Sequence, residues 1–242
     1  DSAANSFDKW IDNVSEFDML VSMATFGYNE RDMTTDAKVI DTPKVVYEAQ
    51  GLFHPFLGRN AVRNDFSVSD RNFYIITGAN MAGKSTFLRS LGINYVLAMN
   101  GMPVFANRLT LSRFKLFTSM RTTDDLTHGI SYFNAELLRL KQIIDAISPV
   151  KSVNNKPAQS RDEKMVSTET DSLPSGENRN DVSKSRGATL IILDEILKGT
   201  NSEDKLSGSR MFLEYVANRN VTGVIATHDL KLSAMTDEYP DR

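Results

Sequence analysis

The feature that most constrains this chain is the stretch Gly78-Ala79-Asn80-Met81-Ala82-Gly83-Lys84-Ser85, which fits G-x-x-x-x-G-K-[ST] at every fixed position. An apolar, β-like run from Phe73 to Thr77 leads into it. A helix-forming stretch, Ser85 to Met99, follows, with Thr86 closing the loop. That order has a chemical purpose. Gly78 and Gly83 let the backbone curl until its N–H groups face phosphate oxygens. The helix N-terminus adds partial positive charge at the same point. Lys84 can reach the β- and γ-phosphates of a nucleotide, and the Ser85 hydroxyl can ligate Mg2+.

A chain with this loop needs an acidic group at the end of a neighbouring buried strand to hold the metal. Thr189 to Leu193 is a continuous apolar run, the signature of a strand covered on both faces, and it ends in Asp194-Glu195. Asp194 is the candidate metal residue, through water, and Glu195 the candidate for orienting or deprotonating an attacking water. A second apolar strand, Gly223 to Thr227, runs into His228, whose imidazole is placed to contact the γ-phosphate. His54, before Pro55 in a turn, reads as structural, and His128, in a polar loop, as solvated.

Strands alternating with helices predict an α/β fold with a mostly parallel central sheet. Further strands are expected at Lys44 to Gln50, Phe66 to Val68 and Leu111 to Thr118. Further helices are expected at Tyr132 to Ile147 and from about Ser202 to Asn218. Upstream, Phe7, Trp10, Val14, Phe17, Val21 and Ala24 recur at helical spacing and define an amphipathic helix ending near Gly27. So apolar a helix needs something to pack on. Residues 1–43 therefore read as the end of a helical domain, and 44–242 as the α/β domain. Within it, 148–186 mixes Lys, Glu, Ser, Asn, Pro and Gly without a period and reads as a mobile surface insertion.

Composition narrows the function classes. The chain has 242 residues and a formal net charge of -3, which argues against a strongly basic nucleic-acid-coating module. Cysteine is absent, so there is no disulfide framework, thiolate metal site or Cys nucleophile. The N-terminus is polar and lacks an initiator Met, as in a fragment or processed chain. The apolar run Leu91 to Ala106 is interrupted by Gly92, Asn94, Asn100, Gly101 and Pro103, which suits a buried helix rather than a bilayer span.

In combination these pieces resemble the ATPase domain of the MutS family of DNA mismatch-repair proteins. Thr77 to Thr86 resembles T-G-P-N-M-G-G-K-S-T. Phe117 to Arg121 with Asp124-Asp125-Leu126 resembles F-T-R-(I/V)-G-A-x-D-D-L, and Ser131 to Glu136 resembles S-T-F-M-x-E. Asp194-Glu195-Ile196 through Gly199-Thr200 resembles D-E-I-G-R-G-T. Ala226-Thr227-His228 matches A-T-H, and Gly51 to Pro55 resembles G-x-x-H-P. Ala79, Ala82, Tyr132, Leu197, Lys198 and Lys205 depart from those patterns, as in a divergent branch.

The resemblance implies an ABC-type P-loop ATPase fold, ATP and Mg2+ as ligands, and a dimer, of like chains or with a MutS-like partner, sharing composite sites. It implies that Asn80 touches the γ-phosphate in its own subunit and Ser131 the γ-phosphate held by the other. On the plainer reading, Ser131 is an N-cap and Glu136 lies on the solvated face of its helix. DNA contact is expected through domains other than this one, with no membrane contact, in the cytoplasm, and on the nucleoid if the source is bacterial. Two other readings stay open: a module in which ATP mainly clamps two chains together, and an ABC-type head serving another machine. No L-S-G-G-Q-like signature supports the last.

Overall fold

In the computed structural model the described residues are 2–79, 81–120, 132–148, 188–197 and 202–235. The chain opens with α1 (Ser2–Asn29), then β1 (Lys38–Ile40), β2 (Tyr47–Leu52), a short 3-10 helix (Pro55–Asn60), β3 (Asn64–Val68) and β4 (Phe73–Thr77). Next come α2 (Lys84–Met99), β5 (Arg108–Ser112), β6 (Lys115–Ser119) and α3 (Tyr132–Ile147). The last elements are β7 (Thr189–Asp194), α4 (Ser202–Ala217), β8 (Val221–Thr227) and α5 (Leu230–Ser233). The expected insertion lies, beyond Ser148, outside the described residues.

These strands form two sheets, not the single central one expected. One is mixed, in the order β1-β5-β2-β3. The other is wholly parallel, in the order β4-β8-β7-β6. In the parallel sheet, β7 and β8 are buried at every residue. Their side chains alternate between two cores, as a pleat of period two requires. Leu190, Ile192, Val224 and Ala226 pack with Leu88, Leu91 and Tyr95 of α2. Ile191, Leu193, Val221 and Ile225 pack with Leu140 and Ile143 of α3 and Phe212 and Val216 of α4. Tyr47, Leu52, Leu109 and Leu111 of the mixed sheet join the same core, so one face of α2 packs between residues of both sheets. Its other face, with Arg89, Ile93 and Val96, is exposed.

Three expectations need correction. The β-like stretch Leu111 to Thr118 is two strands in different sheets. It breaks at Phe114, whose ring stacks on Tyr95 at 4.1 Å and whose backbone N–H and C=O both bond the Tyr95 hydroxyl. The strand expected at Lys44 to Gln50 begins and ends later, at Tyr47–Leu52. The helix α1 forms, but Phe7, Trp10, Val14 and Phe17 remain 62–70% exposed. Among the described residues it packs only near its C-terminal end, where Phe26 meets Phe105 edge to face at 6.0 Å.

Candidate functional site

Parallel register places the site. Thr77 of β4 pairs with Thr227 of β8, and Asp194 of β7 pairs with Ala226 of β8. The glycine-rich loop, Asp194-Glu195 and His228 therefore leave the sheet at one edge, beyond the carboxyl ends of the strands, where open α/β sheets bind their ligands. Asp194, expected on a strand neighbouring the loop strand, is one strand further away: β8 lies between β4 and β7, so His228 stands centrally and the two flanking strands supply the loop and the acids.

The loop itself is open and left-handed where it must be. Gly83 takes φ 86° and caps α2 without a side-chain bond, leaving the first N–H groups of the helix available. Met81 takes φ 64° and is fully exposed. Lys84 folds back across the loop, its Nζ donating to Gly78 O at 2.6 Å and Ala79 O at 2.8 Å. Those carbonyls hold the ammonium over the loop. Ser85 and Thr86 follow in the first turn of α2, half-buried. Asn80 lies outside the described residues.

The acidic corner is buried and specific. Asp194 is 4% exposed, and its Oδ2 has no hydrogen-bond partner among the described residues. A buried carboxylate oxygen without a donor is costly unless a cation or its water completes it. That requirement fits Mg2+. No group of three or more His, Cys, Asp or Glu forms a ready-made metal cage among the described residues. A hard cation here would instead take one hydroxyl, one carboxylate, waters and phosphate oxygens, which is how Mg2+ binds beside nucleotides.

Glu195 is 3% exposed and takes φ 56°, with its N–H bonded to Ala226 O at 2.9 Å. His228 Nδ1 lies 3.1 Å from Glu195 Oε1, so the imidazole N–H donates to the carboxylate and Nε2 stays uncommitted to that pair. Leu197, at φ 55°, donates its N–H to Glu136 Oε1 at 2.7 Å. Glu136 is thus buried at 8% exposure, not on a solvated face. The sequence signal was available in the S-x-x-x-x-E spacing, but its partner lies 61 residues away. Ser131 lies outside the described residues, as does His128.

Beside the loop is a cleft of about 720 Å3, lined by His54, Asp65, Phe66, Thr77, Lys84 and Phe87 among others. That volume suits a nucleotide-sized ligand. His54 belongs to this cleft and also caps the 3-10 helix, accepting from Phe56 N at Nδ1. Its pKa is lowered, first by burial and second by the positive charge of Arg89.

Fold and site together define an α/β protein that gathers a glycine-rich lysine loop, two buried acids and a histidine at the carboxyl edge of a parallel sheet. The family model described as MutS domain V matches residues 74–153. The chain is 29% identical to the DNA mismatch repair protein MutS of Thermotoga petrophila over 80% of its length, covering 20% of that protein. It is 27% identical to that of Shouchella clausii over 96% of its length, covering 23%. To that of Methanococcoides burtonii it is 26% identical over 89%, covering 21%. The chain is similar to these mismatch-repair proteins, and it spans about a fifth of the length of the curated relatives it matches.

Proposed function

We propose that this chain is the Mg-ATP-binding and hydrolysing domain of a MutS-like DNA mismatch-repair protein, with an ABC-type P-loop fold. The observation that carries the reading is the shared register. Three parallel strands bring Lys84, the Asp194-Glu195 corner and His228 to one edge, and there a buried Asp194 oxygen is left without a donor. In this reading Gly78 to Thr86 cradle the phosphates, and Lys84 exchanges its two loop carbonyls for phosphate oxygens. Ser85 and Asp194 hold Mg2+, which when bound neutralises charge developing on the phosphates. Glu195 takes a proton from the attacking water. His228 Nδ1–H steadies that carboxylate, and Nε2 is the nitrogen left to meet the γ-phosphate.

Residues 44–242 would form the ATPase domain, and 1–43 the end of a helical domain leading to DNA-binding parts. The uncovered apolar face of α1 supports that arrangement. Among the described residues no helix is long and apolar enough to cross a membrane. A cytoplasmic repair ATPase closing as a dimer, with Ser131 reaching the partner's nucleotide, completes the proposal.

The test uses the natural full-length protein. Its binding to mismatched and matched duplexes is compared with and without Mg-ATP, at one stated salt concentration. A mismatch preference that Mg-ATP alters is the expected result. Equal binding to both duplexes would remove mismatch recognition and leave a MutS-like ATPase with another task.

A further inference from the structure

The turn after the acids carries a second line of argument. Glu195 and Leu197, two residues apart, both sit in the left-handed region, at φ 56° and φ 55°. Neither is glycine, and a side chain makes that backbone unfavourable. Leu197 moreover stands where the matched D-E-I-G pattern has glycine. A conformation glycine would adopt freely is therefore enforced here by neighbours.

Those neighbours can be named. Ala226 O accepts from Glu195 N. The Leu197 side chain is buried against Gly208 of α4, where an added Cβ would come within 2.6 Å of Leu197 Cδ1. The Glu136 carboxylate of α3 accepts the Leu197 amide at 2.7 Å. The Gly208 contact comes from α4, next in sequence, and the Ala226 contact from β8, paired beside β7. Of the three, Glu136 alone bonds the turn's backbone through a side chain, and a bond to a carboxylate in a buried setting is the stronger kind.

We infer that Glu136 is a positioning residue: its buried carboxylate holds the Leu197 amide, fixes the 195–197 turn in its left-handed form, and so aims the Glu195 carboxylate. The inference rests on the proposed role of Glu195 in hydrolysis. Displacing a reacting group by an ångström can cost about a hundredfold in rate. The effect belongs to the chemical step and not to nucleotide capture, because the phosphate loop is built from other residues.

The test compares Glu136→Ala, Glu136→Gln, Glu136→Leu and Glu195→Gln in the full chain. Single-turnover ATP cleavage, ATP affinity and melting temperature are read for each. Glu136→Ala is expected to slow cleavage about tenfold or more with affinity within about threefold. Glu136→Gln keeps an acceptor oxygen and is expected to recover most of the rate. Should Glu136→Ala not fold, Glu136→Leu carries the test, since it keeps similar bulk, removes the acceptor for the Leu197 amide and is expected to slow cleavage with affinity unchanged. A purely structural role would lower the melting temperature while leaving the rate per folded, saturated molecule unchanged, and that result would overturn the inference. So would wild-type cleavage in Glu136→Leu. An inactive Glu195→Gln beside a fully active Glu136→Ala refutes the positioning role alone. Wild-type cleavage in Glu195→Gln refutes the role of Glu195 and the inference with it.

Discussion

Asn94 is a test of how the phosphate-loop helix is held. It lies on α2, ten residues beyond Lys84, and is fully buried. Its Nδ2 donates to Phe53 O at 3.1 Å and to Ser90 O at 2.9 Å, and its Oδ1 accepts from Phe105 N at 2.6 Å. Phe53 and Phe105 also bond directly, Phe53 N to Phe105 O at 3.0 Å. The amide thus completes a ladder between the segment leading to His54 and the segment after α2.

Replacing Asn94 by leucine keeps similar bulk and removes the bonds. Ser90 O retains its helical partner, but Phe105 N–H and Phe53 O lose theirs inside the protein. At roughly 1–3 kcal/mol for each of the two buried groups left unmade, the loss is about 2–6 kcal/mol. For a chain of this size that corresponds to a melting temperature lower by roughly 4–24 °C. Urea unfolding followed by circular dichroism measures it. Fluorescence is a poorer probe, since the single tryptophan, Trp10, is 70% exposed on α1. A loss under about 1 kcal/mol in Asn94→Leu would refute the assignment of that stability to hydrogen bonds.

Two further outcomes follow from the site. Gly83→Ala should destabilise by about 1–2 kcal/mol and weaken ATP binding, because the added Cβ meets nothing within 4 Å and the whole cost arises from φ 86°; a neutral result in urea would show that the loop relaxes freely. His54 should titrate below its ordinary 6.5, which proton NMR of its ring reads directly. Since the folded value is the lower one, the unfolded chain binds more protons near that pH. The stabilisation is therefore complete above about pH 6.5 and is lost as pH falls through the folded value, when protonated Nδ1 no longer accepts from Phe56 N. A ring titrating at or above 6.5 would contradict this.

Local chemistry was the legible part. The loop from Gly78 to Ser85, the strand Phe73–Thr77 before it and the helix Tyr132–Ile147 are recorded in spacing and residue type, and they stand where the sequence placed them. The apolar run of β7 ending in acids was equally plain. What escaped depends on distant partners. Nothing local orders β8 between β4 and β7. The break at Phe114 comes from a Tyr95 hydroxyl 19 residues away. Glu136 looks like any exposed helix carboxylate until the fold sets the Leu197 amide against it. His54, read as structural, does cap a helix, but only the tertiary fold turns that helix toward the phosphate loop.

The most direct test of the central claim is single-turnover cleavage of ATP by wild-type protein and by Glu195→Gln, with bound nucleotide measured in the same samples. Nucleotide is expected to bind both proteins in the presence of Mg2+, while the variant cleaves it about a hundredfold or more slowly. Equal cleavage by the two, or no nucleotide bound by either, would contradict the account.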